Sequence, residues 1–282
     1  MTIDMKKPLT LLAVLLTLAG CGTGGKKNAE TVQPRKSVVV YYSQTGGTEK
    51  VAKEFARQLG LDTLIKVELA NPYDGTYDET IARCQKEMEG GEVSPLKAPG
   101  VDVAAYDTVF LGYPIWFGTY ALPIKSLLKE VNLDGKVVVP FCTFGSGGRQ
   151  SAEADLKAAL PNSTFLPSYG VRAARVDKAP AEITKYLIAN GMLKGEVETL
   201  PDFSVQRKVT AEDAALFEAA CGDYQMPLGT PDTVGERETP DGTEYMFKTK
   251  SAGPDGKESV FTIYVIRGKE EGAKPEFTEV VR

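Results

Sequence analysis

The amino-acid sequence predicts a doubly wound α/β fold built on a five-stranded parallel sheet, followed by a small α+β unit. Three observations carry this. From Ser37 to Asn190 short apolar strands alternate with amphipathic helices, the signature of βαβ units. The strands are apolar on both sides, as strands covered by helices on both faces must be. Near residue 200 the alternation stops and short strand-like runs separated by turn signals take over.

Ser37–Ser43 (SVVVYYS) reads as the first buried strand. A helix follows with Val51, Ala52, Phe55, Ala56 and Leu59 on one stripe. Leu64–Leu69 reads as the second strand and Tyr77–Glu89 as a polar, peripheral helix. Thr108–Tyr113 is the third strand, and Ile124, Leu127, Leu128 and Val131 stripe the next helix. Lys136–Cys142 is the fourth strand, Ala152–Leu160 a helix, Phe165–Val171 a weak fifth strand and Ala181–Asn190 a closing helix. Beyond residue 200, Thr210 with Asp213 marks a helix start, and Ala214, Phe217 and Cys221 share its stripe. Asp241-Gly242 is a hairpin signal, Gly253-Pro254-Asp255-Gly256 and Gly268–Lys274 are further turns, and Val260–Ile266 is the clearest strand between them. One helix and an antiparallel meander are expected over 205–282, and the α/β unit over 36–195.

The first residues read as an address. Lys6 and Lys7 precede a ten-residue uncharged apolar run, Leu9 to Leu18, too short to span a bilayer. Leu18-Ala19-Gly20-Cys21 then resembles the bacterial lipobox, which implies a signal peptide over 1–20, cleavage before Cys21 and lipidation of its sulfur. Residues 21–35 read as a flexible tether, with a reach of roughly 45–50 Å when extended. An envelope protein anchored outside the cytoplasm is the expectation. Cleavage would remove two Lys and one Asp, taking the formal charge from −5 to −6. A mildly acidic chain lacks the basic footprint that nucleic acid requires.

The chain has no histidine, which excludes Ser-His and Cys-His catalysis and the common zinc sites. Cys84, Cys142 and Cys221 are scattered and form no CxxC pattern, so neither a disulfide framework nor a metal site is expected. Cys142 reads as a small apolar residue ending a strand rather than a redox thiol. Chemistry on this chain therefore falls to a borrowed cofactor or to carboxylates.

Three loops stand out, after the first, third and fourth strands. Ser43-Gln44-Thr45-Gly46-Gly47-Thr48 joins a strand to a helix and offers hydroxyls and backbone N–H groups to a phosphate at a helix N-terminus. It contains no basic residue and matches neither the Walker A nor the GxGxxG pattern. The plain alternative is a turn with Thr48 as a simple N-cap. Tyr113-Pro114-Ile115-Trp116-Phe117-Gly118-Thr119 places the chain's single tryptophan where it can stack on a planar ring, or where it merely covers the core edge. Cys142-Thr143-Phe144-Gly145-Ser146-Gly147-Gly148 offers glycine-rich backbone to a ring edge, or is a plain βα turn. In a sheet of order 2-1-3-4-5 all three meet at the switch point, where a phosphorylated flat cofactor satisfies each.

VVVYYSQTGGTEKVA, GYPIWFGTYALP and VVVPFCTFGSGG resemble the phosphate loop and two flavin-flanking loops of bacterial flavodoxin-like proteins, over roughly residues 37–192. Asn71–Glu89 resembles the segment after the second strand in that group. The resemblance implies FMN as cofactor. Ser43, Gln44, Thr45, Gly46, Gly47 and Thr48 would surround its phosphate. Pro114, Ile115, Trp116, Phe117 and Gly118 would form the stacking loop, with Trp116 on the isoalloxazine. Thr143, Phe144, Gly145 and Gly147 would line the ring, with Phe144 the candidate for its second face. Asp241–Phe247 resembles a strand opening of cystatin-like domains, without the Gln-x-Val-x-Gly loop of protease inhibition. Two readings follow. One is an FMN-binding redox protein, a carrier or FMN-dependent oxidoreductase, serving a redox partner or small-molecule acceptor at the cell envelope. The other is a non-enzymatic envelope binding lipoprotein that keeps the fold without flavin chemistry.

Overall fold

The computed structural model describes residues 36–97, 101–224, 226–252 and 258–282. The signal, the tether, Cys21 and the turn at 253–256 lie outside the described residues. The first unit contains β1 (Ser37–Tyr41), α1 (Gly47–Leu59), β2 (Leu64–Lys66), α2 (Tyr77–Gly90), β3 (Thr108–Trp116), β4 (Thr119–Tyr120) and α3 (Leu122–Glu130). It continues with β5 (Val137–Phe144), α4 (Arg149–Ala159), β6 (Thr164–Phe165), β7 (Tyr169–Arg172), a 3₁₀ turn (Ala173–Lys178) and α5 (Ala179–Ala189). The strands are parallel in the order β2-β1-β3-β5-β6, with β7 also on β5 and β4 folded back on β3. This is the expected doubly wound order.

The departures have local causes. The fifth strand is split, with β6 and β7 both pairing with β5, because Pro167 sits between them and has no N–H to give the ladder. β2 is three residues long, and Leu69 instead makes an isolated bridge to Leu96. β3 runs past Tyr113 to Trp116 because Ile115 and Trp116 pair with Tyr120 and Thr119 of β4.

Each face of the sheet carries its own core. Val38, Val40, Leu111 and Val138 pack with Ile124, Leu127 and Leu156 on one side. Val39, Phe110 and Phe141 pack with Val51, Phe55, Leu59 and Ile183 on the other. Phe55 is fully buried against Phe110, Phe141, Tyr169 and Tyr186. A side chain so placed is worth about 3–5 kcal/mol.

The C-terminal unit is an antiparallel sheet of order β12-β11-β10-β9-β8, from β8 (Arg207–Lys208), β9 (Thr230–Thr239), β10 (Gly242–Ala252), β11 (Glu258–Gly268) and β12 (Pro275–Val281). Helix α6 (Ala211–Cys221) buries Phe217 and Cys221 with Phe247, Ile263 and Phe277 of the sheet. Its start is a full capping box: Thr210 and Asp213 exchange side-chain and backbone bonds, and Arg207 grips the Asp213 carboxylate. The expected hairpin forms across Pro240 and Asp241. Strand β8, which precedes the helix, has no forewarning in the sequence. Among the described residues no helix is long and apolar enough to cross a membrane.

Candidate functional site

β1, β3 and β5 are adjacent and parallel, so the loops at their carboxyl ends converge. Gly46 and Gly47 carry the chain from β1 into α1. Gly46 is the N-cap, with φ +89°, a conformation that only glycine adopts without strain. Its N–H donates to Ser43 Oγ at 3.1 Å and its carbonyl accepts from Lys50 N at 3.1 Å. The loop is thus closed by its own residues. No side chain caps α1, so the first-turn N–H groups stay available for an anion.

Thr48 is not an N-cap. It is 1% exposed, and its hydroxyl meets that of Thr143, 5% exposed, at 2.8 Å. Two candidate residues from different loops are thus joined in one buried pair. Thr45 is the exposed residue of the loop. Gln44 is turned inward: its amide donates to the Tyr73 carbonyl at 2.5 Å and accepts from the Tyr42 hydroxyl.

The second loop is a two-residue hairpin. Phe117 (φ +50°) and Gly118 (φ +80°) are both left-handed, the geometry that matches the twist of the flanking strands. Phe117 is a bulky residue in that region and is 48% exposed, a strained position costing of order 1–2 kcal/mol. Trp116 stands partly buried and is fixed edge-on by Tyr42 at 5.8 Å and Tyr73 at 5.0 Å. Tyr73 is held in turn by Arg83, whose guanidinium lies 4.0 Å over its ring. Burial pushes the Tyr42 phenol up to about 12, and it stays neutral at ordinary pH. Tyr42 and Tyr73 are the supporting residues that sequence reasoning missed. The signal for Tyr73 was present, since it lies in the segment after the second strand.

The third loop packs against the second. A side chain at Gly148 (φ +95°) would meet Ile115 Cγ2 at 3.2 Å and Gly118 Cα at 3.4 Å. Pro114 lies in register with Thr143. Gly145 is exposed, whereas Phe144 is 4% exposed and packs in the core. Phe144 therefore does not stand free to cover a second ring face. Gly147 faces the C-terminal unit: a Cβ there would stand 2.0 Å from the Val280 carbonyl oxygen. Cys142 is fully buried, and burial pushes its thiol well up, which keeps it an inert core residue.

The glycines test whether a flat phosphorylated ligand fits. Gly118 is glycine for its backbone angle and Gly148 for both angle and crowding. Gly47 and Gly145 have neither reason. Neither has a positive φ, nothing lies within 4 Å of a Cβ at Gly145, and only Val176 Cγ2, at 3.9 Å, approaches one at Gly47. Bare backbone facing open space at a helix start and in the third loop suits a ligand that approaches the main chain closely. Among the described residues no group of three or more His, Cys, Asp or Glu could hold a metal ion.

A cavity of about 1290 Å³ lies to one side, between the two units. Ion pairs cross there: Arg149–Glu279 at 3.1 Å, Arg175–Glu276 at 2.8 Å and Lys185–Asp241 at 2.5 Å.

No curated protein matches the chain. Among solved structures, a flavoprotein from Bacteroides uniformis is 26% identical, with a TM-score of 0.48, over 54% of this chain and 100% of that one. A flavoprotein from Bacteroides eggerthii is 25% identical, with a TM-score of 0.45, over 54% and 99%. A flavoprotein in complex with FMN from Lactobacillus acidophilus is 23% identical, with a TM-score of 0.44, over 51% and 98%. The model of the flavodoxin family matches residues 36–179, just over half of the chain and all three loops, and the chain belongs to that family.

Proposed function

We propose that the chain holds one FMN without a covalent bond at the three loops and serves electron transfer or FMN-dependent reduction. The observation that carries this is the bare backbone of Gly47 and Gly145, flanking a tryptophan fixed by two tyrosines. Bound FMN supplies electron acceptance and donation, chemistry that the side chains here lack. The first turn of α1 would receive the phosphate with neutral donors, as N–H groups at a helix start favour negative charge. Thr45 and Ser43 would add hydroxyls. Trp116 would cover one face of the ring, and Gly118, Thr143, Gly145 and Gly147 would lie along its edge. Phe144, buried in the core, would not cover the other face.

The place of action is part of the same proposal. The charged start, the apolar run and Leu18-Ala19-Gly20-Cys21 support a lipid anchor at Cys21 and a site outside the cytoplasm.

The test is a titration of residues 22–282 with FMN, followed by absorption and fluorescence. Quenched fluorescence and shifted bands are expected, with both lost in Thr45→Val and Gly46→Asp. Unperturbed spectra with the wild-type chain would overturn the flavin reading and leave a non-enzymatic envelope binding module.

A further inference from the structure

The third loop is not held by its own residues. The Gly145 carbonyl accepts from Arg172 Nε at 2.7 Å, and the same guanidinium donates through Nη1 to the Phe277 carbonyl of β12 at 2.7 Å. Arg172 also lies 4.1 Å over the Phe277 ring. The next carbonyl, Ser146, accepts from Val280 N at 2.8 Å, and Gly147 forms a parallel bridge with Val280. Arg149, one turn on, reaches Glu279 at 3.1 Å. β12 and Arg172 thus fix the loop through successive peptide groups.

Those bonds have a directional consequence. In a trans peptide the carbonyl oxygen and the following amide hydrogen point opposite ways. With the Gly145 oxygen committed to Arg172 and the Ser146 oxygen to Val280, the Ser146 N–H faces away from the Arg172 guanidinium and the Gly147 N–H away from β12. Arg172 is suited to the linking role because its rigid fork serves two acceptors at once.

We infer that the C-terminal strand β12, acting through Arg172 and Val280, is a positioning part of the flavin site and keeps the third-loop N–H groups aimed at the ring edge. This rests on the FMN reading above. Donors aimed at the ring edge tune how firmly the ring is held and how readily it is reduced. By linkage, FMN must also tighten β12 on the loop by the factor by which β12 tightens FMN.

The experiment uses the chain 22–282 throughout. Amide exchange at Val280 is measured with and without FMN, and FMN affinity and midpoint potential are measured for wild type, Arg172→Lys and Arg172→Met. FMN is expected to slow exchange at Val280 by about tenfold, a usual size for coupling between sites. Arg172→Met is expected to weaken FMN by about the same factor and to move the potential, and Arg172→Lys to restore part of both. Wild-type exchange needs no variant, so it decides the matter even where Arg172→Met fails to fold. Exchange at Val280 indifferent to FMN, with affinity and potential unchanged in Arg172→Met, would overturn the inference while leaving the flavin reading intact. A wild-type chain that binds no FMN would overturn both, and that titration alone reports it.

Discussion

The two glycine-rich loops of the site look alike in sequence and are built by opposite means. In the first, Gly46 donates to Ser43 and accepts from Lys50, and the turn is complete within eight residues. In the third, the carbonyls of Gly145 and Ser146 are bonded by Arg172 and by Val280 at the far end of the chain. Glycine has a different task in each. Gly46 is there for a backbone angle, and Gly147 for space beside another strand. The first loop would survive a change in the C-terminal unit, and the third would not.

The sharpest way to break this contrast is Gly147→Val. The new Cβ would stand 2.0 Å from the Val280 oxygen, so backbone must move. Overpacking against backbone costs about 3 kcal/mol. Chemical denaturation should show that loss, and exchange should quicken along β12 while β1 and α1 keep their protection. An equal loss throughout the molecule would mean that the third loop is no separate junction.

Gly46 should behave differently. Gly46→Val forces a β-branched residue to φ +89° and is expected to cost about 1–2 kcal/mol, whereas Gly46→Asn should recover most of it. At Gly147 asparagine should do no better than valine, because there the obstacle is an atom and not an angle. Similar rescue by asparagine at both sites would erase the distinction.

The Thr48–Thr143 pair joins the two loops and supplies a double-mutant cycle. Thr48→Val or Thr143→Val alone strands a buried hydroxyl and should cost about 1–2 kcal/mol. The double variant should cost less than the sum of the singles. Strict additivity, read from denaturation midpoints, would mean that the hydroxyls do not couple the loops.

The smallest effect concerns acid. The Arg207 side chain, with help from Thr210, holds the Asp213 carboxyl well below its usual range. A lowered folded-state pKa contributes stability that is present above the unfolded value, near 4, and is lost as pH falls toward the folded one. The start of α6 should therefore loosen as pH falls below about 4, and the sheet that it packs on, β12 included, with it. Asp213→Asn should cost about 1 kcal/mol near neutrality and flatten that slope. Exchange at Val280 and at Gly47, followed from pH 6 downward, checks it.

Much of this was legible in the residues. The alternation from Ser37 to Asn190 gives the parallel sheet, because strands covered on both faces must be apolar on both sides. The order of three loops rich in glycine, hydroxyl and aromatic residues brings the candidate residues together, because strand-to-helix loops in such a sheet gather at its carboxyl edge. Local chemistry also shows in the Thr210–Asp213 helix start and the Asp241-Gly242 hairpin, since caps and turns are settled by near neighbours.

What the tertiary structure alone decided are the long-range partners. Trp116 could have been read as a stacking residue or a core cover, and only Tyr42 and Tyr73 against its edges show how it is fixed. Phe144 looked available in the third loop and is buried, because β5 extends two residues further and turns it into the core. Gly147 is expected from the resemblance alone to line the ring, and its side-chain space is filled by Val280. Neighbours in sequence can cap a helix or close a turn, so those features are written locally. Which strand fills the space beside a glycine depends on how distant segments pack, and packing is a property of the whole chain.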